Sequence, residues 1–313
     1  MTWLATLKAF DLLDDAHVNG EVVASLLREE GLEEVEVTRI STEKGATDFI
    51  RIYVPGSSGK RKGGPSQTLG IVGRLGGIGA RPQRIGLVSD ADGAVAALAV
   101  ALKLARMRAR DDQLPGDVII ATHICPRAPV IPHEPVPFMG APVDMATMNQ
   151  HEVSPDMDAV LSLDTTKGNR IMNRRGFAIT PTVKEGYILR VSEDLLDLMQ
   201  VVTGQLPAVL AITTQDITPY GNGLYHLNSI LQPATATSAP VVGVAITTET
   251  AVAGSATGAS HLNDIESAVR FAIEVAKAFG LGQCSFYDQV EFKRLVDLYG
   301  PMNHLQTQGK TVS

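Results

Sequence analysis

The chain has 313 residues, 44% of them hydrophobic and 19% charged, with a formal net charge of −7. That balance supports a sizeable buried core, excludes global disorder, and argues against a general nucleic-acid binder, which needs a basic face. Two cysteines, Cys125 and Cys284, exclude a disulfide framework and a cysteine-rich zinc site.

The N-terminal run Met1-Thr2-Trp3-Leu4-Ala5 meets polar residues within a few positions. It reads as neither a signal peptide nor a spanning helix, so a cytoplasmic address without a membrane partner is expected. Apolar positions at helical spacing predict a helix over 4–13, and Asn19 precedes a second amphipathic run, Glu21 to Glu30, which Gly31 ends. Alternation over 35–40 and 49–54 predicts a hairpin or neighbouring strands. Residues 55–65 form a flexible basic loop that lacks the GK[ST] ending and helix of a phosphate-binding loop. Leu69 to Gly73 starts a buried strand, and the glycine cluster after Arg74 departs from the dinucleotide fingerprint because Arg81-Pro82 follows where a helix would begin.

The stretch Gly86 to Gly93 reads as an apolar strand that stops at Asp90 and Asp92, with a glycine turn and a small-residue helix over 94–107 behind it. Two carboxylates packed together repel unless a cation or a proton sits between them. In the plainer alternative, Asp92 caps the helix and Asp90 is solvated. Asp117 to Ile124 is a β-branched run that predicts a buried parallel strand carrying His123, Cys125 and Pro126 to its carboxyl end. The proline-rich segment 125–151 is expected to be irregular, a binding loop bearing His133, Glu134, Asp144, His151 and Glu152. Further on, strands are expected over 157–164, ending at Asp164, around 178–183, over 208–212, leading to Asp216, and over 241–246, leading to Glu249. A helix is expected over 194–203, a turn at 220–226 followed by a short helix, and a small-residue loop over 254–261. Asn263 or Asp264 then caps the last strong helix, 265–279, and the tail beyond Pro301 is frayed.

This alternation implies an α/β fold, a three-layer αβα sandwich with a mostly parallel mixed sheet, as one domain over 1–300 with a tail over 301–313. Asp90, Asp92, His123, Asp164, Asp216, Glu249 and His261 all fall at strand ends and share one crevice if those strands are neighbours. Such a layout suits a metal-dependent hydrolase.

From about residue 6 to 280 the chain resembles the co-catalytic zinc aminopeptidases and carboxypeptidases, the clan that includes glutamyl aminopeptidase. Asp90-Ala-Asp-Gly-Ala-Val-Ala-Ala-Leu98 is similar to the motif whose aspartate bridges two metal ions. Val160-Leu-Ser-Leu-Asp-Thr165 resembles the strand ending in a metal-binding aspartate, Thr214-Gln-Asp216 the Gly-Thr-Asp turn, and Asp264 to Phe279 the closing helix. Three features depart from the clan. Arg74-Leu75-Gly76 stands where it has His-x-Asp, Cys125-Pro126-Arg127 stands where its paired glutamates follow the strand, and no inserted domain lies between 76 and 90. The closing histidine ligand has Glu249, Thr250 and His261 as candidates.

The resemblance implies an offshoot of the clan, an uncharacterised bacterial family, hydrolysing an amide or peptide bond of a small molecule or short peptide. A divalent metal, zinc first and manganese or cobalt otherwise, is expected at Asp90, Asp92, Asp164, His261 and Glu249. His123, His261 or Glu134 is expected to act as general base, with Arg74, Arg127 and Asp216 holding the substrate. One alternative is a metal-free hydrolase or racemase using Cys125, whose thiol lies beside His123 and Arg127. Another is a non-catalytic, small-molecule-binding descendant of the fold. A homo-oligomer is expected because most soluble assemblies are symmetric.

Overall fold

The computed structural model describes residues 1–74, 77–134, 136–212 and 229–306. Helices α1 (Thr2–Asp14) and α2 (Gly20–Glu29) precede a hairpin of β1 (Val35–Thr42) and β2 (Gly45–Val54), and β3 (Leu69–Arg74) follows. Then come α3 (Asp92–Arg108), β4 (Val118–Ile124), β5 (Val130–Ile131), β6 (Phe138–Met139), α4 (Met145–Glu152) and β7 (Ala159–Thr165). The chain continues with β8 (Gly176–Ile179), β9 (Val183–Lys184), β10 (Tyr187–Ile188), α5 (Glu193–Thr203), β11 (Val241–Thr247), α6 (Leu262–Gly280) and α7 (Gln289–Tyr299).

Nine strands form one mixed sheet in the order β1-β2-β4-β3-β7-β11-β9-β10, with β8 also on β11. Its four central strands, β4, β3, β7 and β11, run parallel, while β2 pairs antiparallel with β4. This is the expected αβα arrangement. The four central strands are buried along almost their whole length, as parallel strands covered on both faces must be. One face packs against α3, flanked by α1 and α6; the other carries α4 and a short 3-10 helix, Ser229–Thr235. Helix α3 sits close because glycine meets glycine. A Cβ on Gly73 would come within 2.8 Å of the Ala97 methyl and 2.7 Å of the Gly93 carbonyl.

Several expectations are corrected. The run before Asp90 is not a strand: Ser89–Ala91 forms a 3-10 turn, and Val88 makes an isolated bridge to Thr257. The Ser89 and Asp90 amides donate to Ala256 and Gly254, Val88 donates to Ile78 and Leu87 to Asp14 Oδ1, while the sheet position beside β4 and β7 is held by β3. Residues 208–212 contribute one bridge, Val209 to Ile179, since their neighbour β8 is only four residues long. The proline-rich loop contains a helix, α4, whose N-cap Asp144 accepts from the Thr147 amide. Helix α6 begins at Leu262 without a side-chain cap, and Asp264 instead accepts from the Gly176 amide at 2.8 Å. The basic loop is tied down by Lys60 to Asp158 and Arg61 to Glu34. Past Pro301, Gln306 donates to the carbonyls of Ala234 and Thr237. Among the described residues no helix is long and apolar enough to cross a membrane.

Candidate active site at the carboxyl edge of the sheet

The carboxyl ends of β3, β4, β7 and β11 deliver Arg74, His123, Asp164 and Thr247 to one edge. Register fixes this: Arg74 lies opposite Asp164, and Ala245 pairs with Asp164 from the other side. Three loops are stitched together over that edge. The Ile78 amide donates to Cys125, the Gly254 amide to Pro137 and the Asp90 amide to Gly254. The Ser89 hydroxyl donates to the Ala253 carbonyl at 2.7 Å, and the Thr165 hydroxyl to Ser89 at 3.1 Å.

The first cluster is a buried chain of charge on the α4 face. Glu152, from the last turn of α4, accepts Arg74 Nη1 on Oε2 at 2.5 Å and meets His123 Nδ1 on Oε1 at 2.8 Å. All three side chains are buried. Burial pushes the Glu152 carboxyl up, but Arg74 and His123 together outweigh it and hold it below the ordinary carboxylate range. With Glu152 ionised, His123 donates to it from Nδ1, which leaves Nε2 as the other ring nitrogen. That nitrogen is buried and has no hydrogen-bond partner. Arg74 Nη2 also donates to Gln232 Oε1 at 3.4 Å and contacts Met145 Sδ. The Asn149 amide donates to Gln232 O and Thr235 Oγ1, so α4 and the 3-10 helix are locked to the same network.

The second cluster lies at the N-terminus of α3. Asp92 is fully buried, and its Oδ2 accepts from Lys167 Nζ at 2.6 Å. Lys167 also donates to the Ala259 carbonyl at 3.2 Å. Burial pushes Asp92 up, opposed by Lys167 and less strongly by Ser260 and His261. Asp264, raised by burial against the Gly176 amide, lies 3.6 Å from the Nδ1 of half-exposed His261. Helix-capping by Asp92 is not seen, because its carboxylate is held by a lysine instead.

The predicted site residues separate into three groups. Arg74 and His123 come together through Glu152; Asp92 and His261 border one cluster with Lys167; Asp90 lies next to Gly254. Asp164 stands half-buried at its strand end, bonded to its own following amide at 2.7 Å. Glu134 and Arg127 are exposed, and Glu249 faces solvent beside Arg175 at 3.5 Å. Asp216, with the turn at 220–226, lies outside the described residues. The Cys125 thiol is buried and donates to the Ala46 carbonyl, and burial pushes it up to about 11, the opposite direction from the lowering an activated thiol needs.

Among the described residues no three His, Cys, Asp or Glu side chains converge as a metal centre does. Asp92, expected as a ligand, spends its Oδ2 on an ammonium. The described donors therefore do not fit the expected dinuclear ion site. Glu152 and Lys167 are the functional candidates that sequence reasoning passed over. The signals are faint: Glu152 adjoins a segment whose prolines predict irregular chain, and Lys167 follows the strand-end acid Asp164 by three residues.

No curated protein matches the chain. Two solved structures of Legionella pneumophila LapA, one described as an aminopeptidase, are similar to it. The first is 11% identical with a TM-score of 0.47 and covers 92% of this chain and 71% of its own. The second is 11% identical with a TM-score of 0.49 and covers 90% and 72%. A family model described as a protein of unknown function, DUF1177, matches residues 38–309, and the chain belongs to that family.

Proposed function

We propose that the chain is a hydrolase acting on an amide or peptide bond of a small substrate, with His123 as general base at the carboxyl edge of the sheet. One observation carries this reading: His123 is held through Nδ1 by an ionised Glu152, itself clamped by Arg74, while Nε2 is a buried nitrogen without a hydrogen-bond partner. A base oriented by a carboxylate is the arrangement that proton abstraction needs. The motif resemblance around Asp90 and Asp164 supports the choice of amide chemistry.

In the step proposed, Nε2 takes a proton from water as the water oxygen bonds to the carbonyl carbon. The same nitrogen returns that proton to the leaving amine as the carbon–nitrogen bond breaks, giving a carboxylic acid and an amine. Glu152 stabilises the imidazolium formed between the two transfers, and Arg74 keeps Glu152 ionised.

The test is a screen of purified protein against free and blocked dipeptides and small amides, with and without chelator, beside His123→Gln and Glu152→Gln. Turnover that falls at least ~100-fold in His123→Gln and less steeply in Glu152→Gln supports the proposal. Turnover unaffected by His123→Gln overturns it. Ligand-dependent thermal shifts with no turnover on any amide also overturn it, in favour of a binding protein.

A further inference from the structure

The feature that the proposed reaction leaves unused is Lys167. A lysine side chain that is 1% exposed is unusual, because burying an ammonium costs several kcal/mol unless it is paired and hydrogen-bonded. Lys167 is paired with Asp92, which is itself fully buried at the first position of a 17-residue helix. The positive end of that helix favours the ionised carboxylate.

The backbone is shaped to deliver this side chain. Lys167 has φ of +54°, in the left-handed region that non-glycine residues rarely occupy. Its amide donates to Ile246, and the next amide, of Gly168, donates to Thr248 Oγ1 and to the Thr250 carbonyl. Those contacts tie the end of β7 to the end of β11 and aim the ammonium across to α3. The ammonium then reaches the loop at 259, so three segments of the catalytic edge meet on one cation.

We propose that the Lys167 ammonium is the resident cation of the Asp92 position, doing permanently what a bound divalent ion would do: it neutralises the buried acid and joins the loops around it. Asp92 is then not a metal ligand, and the chain needs no exogenous ion at that acid. The donor geometry agrees on the Oδ2 side, where an ammonium 2.6 Å away leaves no room for an ion; Oδ1 is buried without a hydrogen-bond partner, and ion binding to wild type tests that side. The inference rests on the reading of this edge as the site, but its test measures ion binding and stability rather than turnover, so either can fail without the other.

The experiment compares full-length wild type with Lys167→Met, Asp92→Asn and the double variant Lys167→Met/Asp92→Asn. Each is dialysed against zinc, manganese and cobalt for elemental analysis and is melted with and without those ions. In wild type we expect no bound ion that Asp92→Asn removes, and a Tm unchanged by chelator. In Lys167→Met we expect a Tm lower by on the order of 10 °C, partly restored by added divalent ions because Asp92 regains a cation. In the double variant, with charge removed from both partners, we expect Tm to recover without ions. A stoichiometric ion in wild type that Asp92→Asn releases overturns the inference, and this readout stands even if Lys167→Met fails to fold. A Lys167→Met protein as stable as wild type in chelator overturns it as well.

Discussion

His123 Nδ1 and Glu152 Oε1 are 2.8 Å apart, although one residue is the last but one of a strand inside the sheet and the other ends a helix on top of it. The contact exists because α4 docks across β2 and β4, and because Arg74 on the neighbouring strand supplies the counter-charge that makes a buried Glu152 tolerable.

Glu152→Ala is therefore expected to destabilise the fold as well as the site. Removing the carboxylate leaves the Arg74 guanidinium buried and unpaired, a loss of about 3–5 kcal/mol. Urea unfolding of wild type, Glu152→Ala and the double variant Arg74→Met/Glu152→Ala measures it. The double variant should recover part of the loss, and identical midpoints for the two variants would show that the pair carries no coupling.

Acid should release a second contact, remote from the site. Glu30, closing α2, binds Arg106 of α3 and Lys8 of α1. Its carboxyl is lowered to about 2, through Arg106 first, with burial opposing and Lys8 assisting. A depressed carboxyl stabilises the fold fully above its unfolded value of about 4.5, and that stabilisation is lost as pH falls towards 2. Glu30→Gln should thus lower stability by on the order of 1–2 kcal/mol at pH 7, after allowance for solvent screening, and by almost nothing at pH 2. Chemical denaturation at the two pH values checks this, and an equal loss at both would contradict the ion-pair account.

Both thiols should be silent in the native protein. Burial pushes Cys125 up to about 11 and Cys284 up to about 12. A disulfide-exchange reagent at pH 8 should react slowly or not at all in buffer and with both cysteines in denaturant. Rapid native labelling of Cys125 would return attention to the thiol-dependent alternative.

Close approach of α3 to the sheet predicts a sharp contrast between two glycines. A Cβ on Gly93 would lie 2.6 Å from the carbonyl oxygens of both Arg74 and Leu163, so Gly93→Ala must push the helix off β3 and β7. A loss of about 3 kcal/mol or more is expected, on the scale of severe overpacking. Gly282, with φ of +70° and nothing near its missing Cβ, should lose only about 1 kcal/mol on the same change, from backbone strain. Melting curves of the two variants measure the difference, and equal losses would remove the packing argument.

Much of the framework was legible from local pattern. Helical spacing marked α1, α2, α3, α5 and α6, and β-branched runs marked β4, β7 and β11, because periodicity is a property of a single segment. Where a segment's fate depended on a partner, the same signals misled. The apolar run before Asp90 is a turn because its amides donate to loops and to Asp14 rather than to a strand, and the proline-rich stretch hides α4 because Asp144 caps it beyond the last proline.

By itself, the sequence determined the α/β alternation and brought His123 and Asp164 to the ends of their strands. Tertiary structure decided which charged side chains meet. Arg74 finds Glu152 across 78 positions and Lys167 finds Asp92 across 75, pairings fixed by strand register and helix docking that leave no periodic trace in the chain. It also decided their chemistry, since desolvation within the packed interior is what makes the buried Glu152 and Asp92 depend on a cation, here supplied by Arg74 and Lys167.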